Sequence, residues 1–316
     1  MRRRVVLTIV VAILALMMAL AGGPAALAAT KRLPIRSGPH GLSRAPGAIT
    51  PKIVGGKPVP NGKYPFQAAL LAQSFGTNDF QRQYCGASLI TPFEVLTAAH
   101  CVEFVGDEPE QLPISDLRVV VGRTVLTSTQ GQKRRVAAID IHPRYNPVTL
   151  SFDAAVVHLA SPVNGIRPVA LVTPGVDALE RPGTLATVTG WGNTIQQPVG
   201  PGGGGIHYPD RMREAQVPIT SRAECQTVYT GAGAPIDATM LCAGRTNLDT
   251  CQGDSGGPLF FKAAGPGYIQ AGITSWGFGC GATGFPGVYT RLSNRGVGNF
   301  ILSATGGVPV NSTQAA

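Results

Sequence analysis

From Ile53 onward the chain breaks into short apolar runs separated by turn residues. FQAALLA (66–72), GASLI (86–90), LRVVVG (117–122), RRVAAIDI (134–141), AAVVHLA (154–160), TLATVTGWG (184–192), REAQVPI (213–219), YIQAGITSWG (268–277) and GVYTRL (287–292) are rich in Val, Ile, Leu and Thr, usually with Gly or Pro between them. Short runs of this kind, bounded by turn residues, predict an all-β sandwich or barrel. Helical periodicity is weak. SRAECQTVY (221–229) reads as one short helix and SNRGVGNFILSAT (293–305) as a terminal one, although Gly296 and Gly298 lower the helix propensity of the second.

The first 52 residues have a different texture. MRRR, a charge-free apolar run and the small-residue site Ala26-Leu27-Ala28 read as a secretory signal peptide over 1–29. The competing reading is an uncleaved membrane anchor, for which the run is short. Residues 30–52, rich in Pro, Gly and basic side chains, read as a flexible pro-segment. The stretch QQPVGPGGGG (196–205) reads as a mobile surface loop, since it lacks the following helix that phosphate binding would need. Residues 303–316 read as a flexible tail.

Composition changes this picture in one respect. The chain of 316 residues is 44% apolar, enough for a sizeable core, and its formal net charge of +9 invites a nucleic-acid partner. Residues 1–52, however, hold eight of the 26 Lys and Arg and none of the 17 acids, so the remainder balances 18 against 17. The body has no basic surplus, and nucleic-acid binding is not expected. Six cysteines (Cys85, Cys101, Cys225, Cys242, Cys251 and Cys280) in a secreted chain predict three disulfides, although spacing leaves 15 pairings open. None of them forms the close C-x-x-C pair that zinc favours.

Candidate chemistry centres on DTCQGDSGGP (249–258), which holds Ser255 between glycines and two aspartates. A serine hydroxyl is a weak nucleophile and needs a base, usually histidine, itself oriented by an acid. Of His40, His100, His142, His158 and His207, only His100 stands out, at the end of the strand-like run LTAAHC.

IVGG (53–56), TAAHC (97–101), DAAVVHL (153–159), GWGNT (190–194), DTCQGDSGGP (249–258), SWGFGC (275–280) and PGVYT (286–290) follow one another in that order. Together they resemble the chymotrypsin/trypsin family of serine endopeptidases over about residues 53–302. The Ala- and Gly-rich composition is similar to that of bacterial, actinobacterial-type trypsins. The resemblance implies two packed six-stranded antiparallel Greek-key barrels, 53–165 and 166–302, and a short C-terminal helix. It implies Ser255 as nucleophile, His100 as base then acid, Asp153 as the acid that orients the imidazole, and the Gly253 and Ser255 N–H groups as oxyanion hole. Neither aspartate of the serine loop then activates the serine. Asp254 would pair with the α-amino group that cleavage after Lys52 frees on Ile53. Asp249 would floor a specificity pocket for Arg or Lys, with Gly277 and Gly287 as its open walls. Ser275, Trp276 and Gly277 would pair with the substrate backbone, although Trp276 also reads as core filler.

The same resemblance implies the bridges Cys85–Cys101, Cys225–Cys242 and Cys251–Cys280. The expected protein is thus a secreted monomeric zymogen able to activate itself in trans, without cofactor or metal, not membrane-bound when mature, acting on protein or peptide substrates and open to protein protease inhibitors. In one respect the chain departs from the family. The segment GRTVLTSTQGQKRR (122–135), where the family holds calcium, has no carboxylate and is basic, so calcium is not expected there. The acidic stretch GDEPEQ (106–111) reads as a solvated insertion, and segments 72–84 and 103–116 as borders of the cleft. The readings from other classes are a protease fold kept as a binding module, against which all three triad positions stand intact, and a membrane-anchored structural protein.

Overall fold

A computed structural model describes residues 53–106, 111–199 and 205–307. The signal peptide, the pro-segment with Lys52, most of the glycine run, most of the acidic stretch and the end of the tail lie outside the described residues. Among the described residues, no helix is long and apolar enough to cross a membrane.

Strands β2 (Gln67–Ala72), β3 (Gln83–Leu89), β4 (Glu94–Thr97), β5 (Leu117–Val121), β6 (Gln132–Ile141) and β7 (Ala155–Leu159) close an antiparallel barrel in the order β2-β3-β4-β7-β6-β5. Burial divides its wall. Every residue of β2 and β3 is buried: Gln67 and Ser88 meet the second sheet, and Tyr84 is covered by Phe75 and Phe104. Strand β6 is the most exposed wall, with Val136 its only buried residue.

The second sheet has eight strands: β1 (Lys57–Pro58), β8 (Ala170–Leu171), β9 (Leu185–Gly190), β10 (Arg213–Pro218), β11 (Met240–Ala243), β12 (Pro258–Lys262), β13 (Tyr268–Trp276) and β14 (Gly287–Arg291). Six of them run in the order β10-β9-β12-β13-β14-β11. The Ile219–Ala243 bridge past the end of β10 brings the ring round to β11. The expected six-stranded antiparallel barrel is therefore enlarged by two strands. β1 adds to β10, and β8 pairs with β13 in parallel. Both additions are two residues long, too short to leave an alternating pattern in sequence.

Apolar and polar contacts join the two barrels. Tyr64, Phe66, Phe260 and Tyr268 pack edge to face with ring centroids 5.1–5.2 Å apart for Tyr64–Phe260, Phe66–Phe260 and Phe260–Tyr268. Buried polar pairs cross the same seam, Thr189 Oγ1 to Gln67 Oε1 at 2.5 Å and Ser88 Oγ to Gln270 Oε1 at 2.6 Å. The backbones come so close at Gly86 that a Cβ there would lie 2.9 Å from Gly257 Cα. Among the described residues, three α-helices complete the fold: α1 (Asp79–Arg82), α2 (Arg222–Gly231) and α3 (Arg295–Thr305). Ser221 caps α2 and Asn294 caps α3. The glycines of α3 are packing residues. A Cβ at Gly296 would lie 2.9 Å from Phe152 Cε1, and one at Gly298 would lie 2.6 Å from Pro174 Cγ.

Candidate active site

His100 sits on a 3₁₀ turn (Ala99–Cys101) that ends β4, and the Cys101–Cys85 disulfide ties that turn to β3. Asp153 approaches from the other side, just before β7, and is fully buried. Its Oδ1 accepts the His100 backbone N–H at 2.9 Å, and its Oδ2 lies 2.7 Å from His100 Nδ1. A carboxylate facing Nδ1 keeps the proton there and leaves Nε2 as the acceptor. The Ser275 hydroxyl also donates to Oδ2, at 2.5 Å, and Thr290 Oγ1 donates to the Asp153 carbonyl at 2.7 Å. Burial pushes the Asp153 pKa up, but the His100 charge and these hydrogen bonds outweigh it and hold the carboxyl below its ordinary value. Burial pushes the His100 pKa down. The facing Asp153 charge and hydrogen bond, with a smaller pull from Glu103, more than offset that and leave it raised.

The segment leading to Asp153 is unusual. Leu150 and Phe152 both have φ of 56°, a region that non-glycine residues visit at a cost. Phe152 is stacked on His142 at 4.6 Å and carries the Arg144 guanidinium 4.1 Å over its ring. Ser151 Oγ donates to Asp237, which also accepts the Thr239 N–H and hydroxyl at 2.7 and 2.5 Å.

Ser255 is half-buried in the loop before β12. Gly86 of β3 donates its N–H to the Ser255 carbonyl at 2.7 Å, and Gly256 donates to Thr274 O at 2.8 Å. Gly253 (φ 95°) and Gly256 (φ 78°) take left-handed conformations, and a Cβ at Gly256 would sit 2.2 Å from Thr97 Oγ1. The serine loop thus packs on the strand end that leads into His100. Asp254 points inward, fully buried, and accepts the N–H groups of Gly192 at 2.7 Å and Cys251 at 3.0 Å. A Cβ at Gly190 or Gly192 would reach its carboxylate within 2.2 or 2.4 Å. Ile53 is fully buried as well, and the Val54 carbonyl accepts the Asp249 N–H at 3.2 Å.

Asp249 is 3% exposed and holds two backbone donors, Thr250 N–H at 2.8 Å and Gly281 N–H at 3.1 Å. Burial dominates these bonds and pushes its pKa up to about 7. Gly287 lies directly over it, where a Cβ would meet Asp249 Oδ1 at 2.4 Å. A Cβ at Gly277 would meet nothing closer than 3.8 Å, at Gly279 O, Gly287 Cα and Tyr229 Oη. Tyr229, absent from the sequence reading, lies beside Gly277 and is fixed by a 2.6 Å hydrogen bond to Pro286 O. Its only sequence signal is its place four residues after Cys225 on α2, one helical turn along the same face. Trp276 packs against Tyr229 at 4.9 Å, within a small aromatic cluster with Phe278 and Phe285.

The structure joins Cys85 to Cys101, Cys225 to Cys242 and Cys251 to Cys280. Cys85, His100 and Cys101 bring their ligand atoms within 4.8 Å, but both sulfurs are consumed in a disulfide and cannot serve as thiolates for a metal. In the 122–135 segment, Arg123 and Lys133 turn back onto buried Asp79, at 2.5 and 2.6 Å. Asp79 is a partner that sequence reading missed. With Arg82 also 3.7 Å from its Oδ1, the Asp79 carboxylate is surrounded by cations, which do not suit a bound divalent ion.

Comparison with known proteins gives the family. A family model described as "Trypsin" matches residues 53–296. A trypsin from Saccharopolyspora erythraea is 38% identical over 76% of this chain and 93% of its own length, and trypsin II-P29 from Gallus gallus is 35% identical over 78% of this chain and 88% of its own. Transmembrane protease serine 9 from Rattus norvegicus is 36% identical, but the chain spans only 21% of its length.

Proposed function

We propose, from the premise that this chain belongs to the trypsin family of serine endopeptidases, that it is a secreted, monomeric enzyme of bacterial trypsin type that cleaves peptide bonds after Arg or Lys. The observation that supports the specificity is the buried Asp249 carboxylate against Gly287, which itself lies next to Gly277. A buried carboxylate without a counter-cation is destabilised, as its raised pKa records, and a substrate guanidinium or ammonium relieves it. An apolar side chain would leave it stranded.

Ser255 then attacks the carbonyl carbon while His100 Nε2 takes the hydroxyl proton. Asp153 holds the imidazole in the tautomer this requires and stabilises the cation that forms. The N–H groups of Gly253 and Ser255 receive the developing oxyanion. His100 returns the proton to the leaving amine, and water repeats the sequence to release the acyl group. Segment 275–277, the last two residues of β13 and the glycine after it, binds the substrate backbone as an added strand. Activation follows cleavage after Lys52, a site that fits the enzyme's own specificity. The freed Ile53 amine joins the donors that already converge on buried Asp254.

The test uses matched peptide amides ending in Arg, Lys or Phe and protein whose first residue is Ile53. Cleavage after Arg and Lys, absent after Phe and lost in Ser255→Ala, is expected. Cleavage after Phe alone would overturn the role of Asp249, and no cleavage at all would favour a binding module.

A further inference from the structure

Gln83 opens β3, in which every residue is buried, and is itself fully inaccessible to solvent. The β2–β3 ladder slips at this point. Leu70 faces Cys85 and Leu71 faces Gln83, which leaves Tyr84 as the extra residue of a bulge. Bulges redirect side chains, and here the Gln83 amide is directed out of its own barrel. Its Nε2 donates to the Gly253 carbonyl at 2.9 Å. Its Oε1, also buried, has no hydrogen-bond partner among the described residues. Exchanging the two atoms would set one acceptor against another, so the Gly253 carbonyl fixes which end is the donor. A buried acceptor left unpaired is unfavourable. An apolar side chain of the same volume would avoid that penalty, so what the amide contributes at this position is its N–H.

We propose that Gln83 is a positioning residue for catalysis: from the first barrel it holds the Gly253 carbonyl and so fixes the backbone that presents the Gly253 and Ser255 N–H groups to the substrate. Three residues along the same strand, the Gly86 N–H holds the Ser255 carbonyl at 2.7 Å. Strand β3 therefore grips the serine loop at two carbonyls that flank Asp254, while the Asp254 side chain is held from the second barrel. The loop needs such anchors because Gly253 has little conformational preference of its own. The proposal rests on the reading of these two N–H groups as the oxyanion donors.

Three measurements on the processed enzyme test it: kcat and KM for an Arg amide, the Kd of benzamidine, a cation that would fill only the Asp249 pocket, and the Ki of a peptide aldehyde ending in Arg, whose adduct carries an oxyanion. In Gln83→Met, kcat is expected to fall about tenfold or more, with an equal rise in the aldehyde Ki, while the benzamidine Kd changes less than about twofold. Gln83→His, which keeps an N–H at similar reach, should restore most of kcat. Folded Gln83→Met with unchanged kcat and aldehyde Ki would overturn the proposal. So would parallel loss of benzamidine binding, which would mark a purely structural role. Failure of the underlying reading is separate. It would appear in the wild-type enzyme, as aldehyde inhibition no stronger than that of the matching alcohol.

Discussion

The Ser275 hydroxyl and the His100 ring meet on a single oxygen, Asp153 Oδ2, at 2.5 and 2.7 Å. Ser275 belongs to the second barrel, whereas His100 and Asp153 belong to the first, so this oxygen joins the two halves of the site. Removing the Ser275 donor leaves Asp153 more basic and less firmly aimed. Ser275→Ala should lower kcat by about three- to tenfold, the size of one lost hydrogen bond to a charged group with partial compensation. Asp153→Asn, which favours the wrong tautomer, should lower it by about 10³–10⁴. Steady-state kinetics on an Arg amide decide between them, and equal losses would contradict the shared-oxygen geometry.

In the proposed mechanism, the raised pKa of His100 sets the acid limb of the activity profile. Only the neutral ring can take the Ser255 proton, so kcat/KM should rise as pH climbs through the His100 pKa, and that midpoint should lie above the ordinary value of about 6.5. Asp153 is the main source of the upward shift, so the midpoint should move down in Asp153→Asn, measured on the residual activity. A wild-type midpoint below the ordinary value would show that burial, not the Asp153 charge, governs the ring.

Asp249 makes two linked predictions. Its folded pKa, about 7, lies above that of the unfolded chain. The stability this group contributes is therefore present below about pH 4 and lost as pH rises through 7. Asp249→Ser should thus stabilise the ligand-free enzyme at pH 8, by about 1–3 kcal/mol, visible as a higher Tm. The same variant should lose Arg and Lys cleavage by about 10⁴-fold. A lower Tm at pH 8 would mean that the two backbone hydrogen bonds, not burial, dominate this carboxylate.

The two pocket glycines should respond differently to an added methyl group. At Gly287 the methyl would meet Asp249 Oδ1 at 2.4 Å, so the carboxylate must move. At Gly277 the nearest atoms lie at 3.8 Å, so the backbone accepts it, and in the proposed pocket the methyl only narrows the space for the substrate side chain. Gly287→Ala should raise KM for Arg and Lys amides by about 100-fold, and Gly277→Ala by about tenfold. Benzamidine affinity should follow the same order, and the reverse order would contradict the assignment of Gly287 as the tighter wall.

The longer strands were legible because each is carried by contiguous residues, and the candidate site was read through the family resemblance of its motifs. The apolar runs announced the longer strands, and IVGG, TAAHC and DTCQGDSGGP named residues whose neighbours in sequence are also their neighbours in space. What escaped reading was held by pairings over long separations. Strands β1 and β8 are two residues each and exist only because β10 and β13 offer an edge. Gln83 looks like any polar residue until the bulge aims it at Gly253, 170 positions away. Asp79 gave no signal either, because its partners Arg123 and Lys133 lie 44 and 54 residues on. The helix over 293–305 looked weak for its glycines, yet those glycines are what allow it to approach Phe152 and Pro174.

Asp237 provides the last prediction, since it secures the strained approach to Asp153. Leu150 and Phe152 hold left-handed backbone on either side of Ser151, and Ser151 is tied to Asp237 across the barrel seam. Burial pushes the Asp237 pKa up, but the Ser151 and Thr239 hydrogen bonds outweigh it, so the carboxyl sits below its ordinary value. With the folded pKa depressed, the stability from this group is present above the unfolded pKa, about 3.9. It is lost as pH falls through the folded value. Asp237→Ala should therefore lower Tm at pH 6 and converge with the wild type toward pH 3. Loosening of the Asp153 approach should also lower kcat, by about three- to tenfold, with little change in benzamidine affinity, because Asp249 and its glycines lie on other segments. Thermal melts across pH 3–8 with kinetics at pH 8 separate the two effects. A Tm deficit that stays constant over the whole range would mean that Asp237 acts by packing alone, and an unchanged kcat would mean that the Phe152 stack holds Asp153 in place without it.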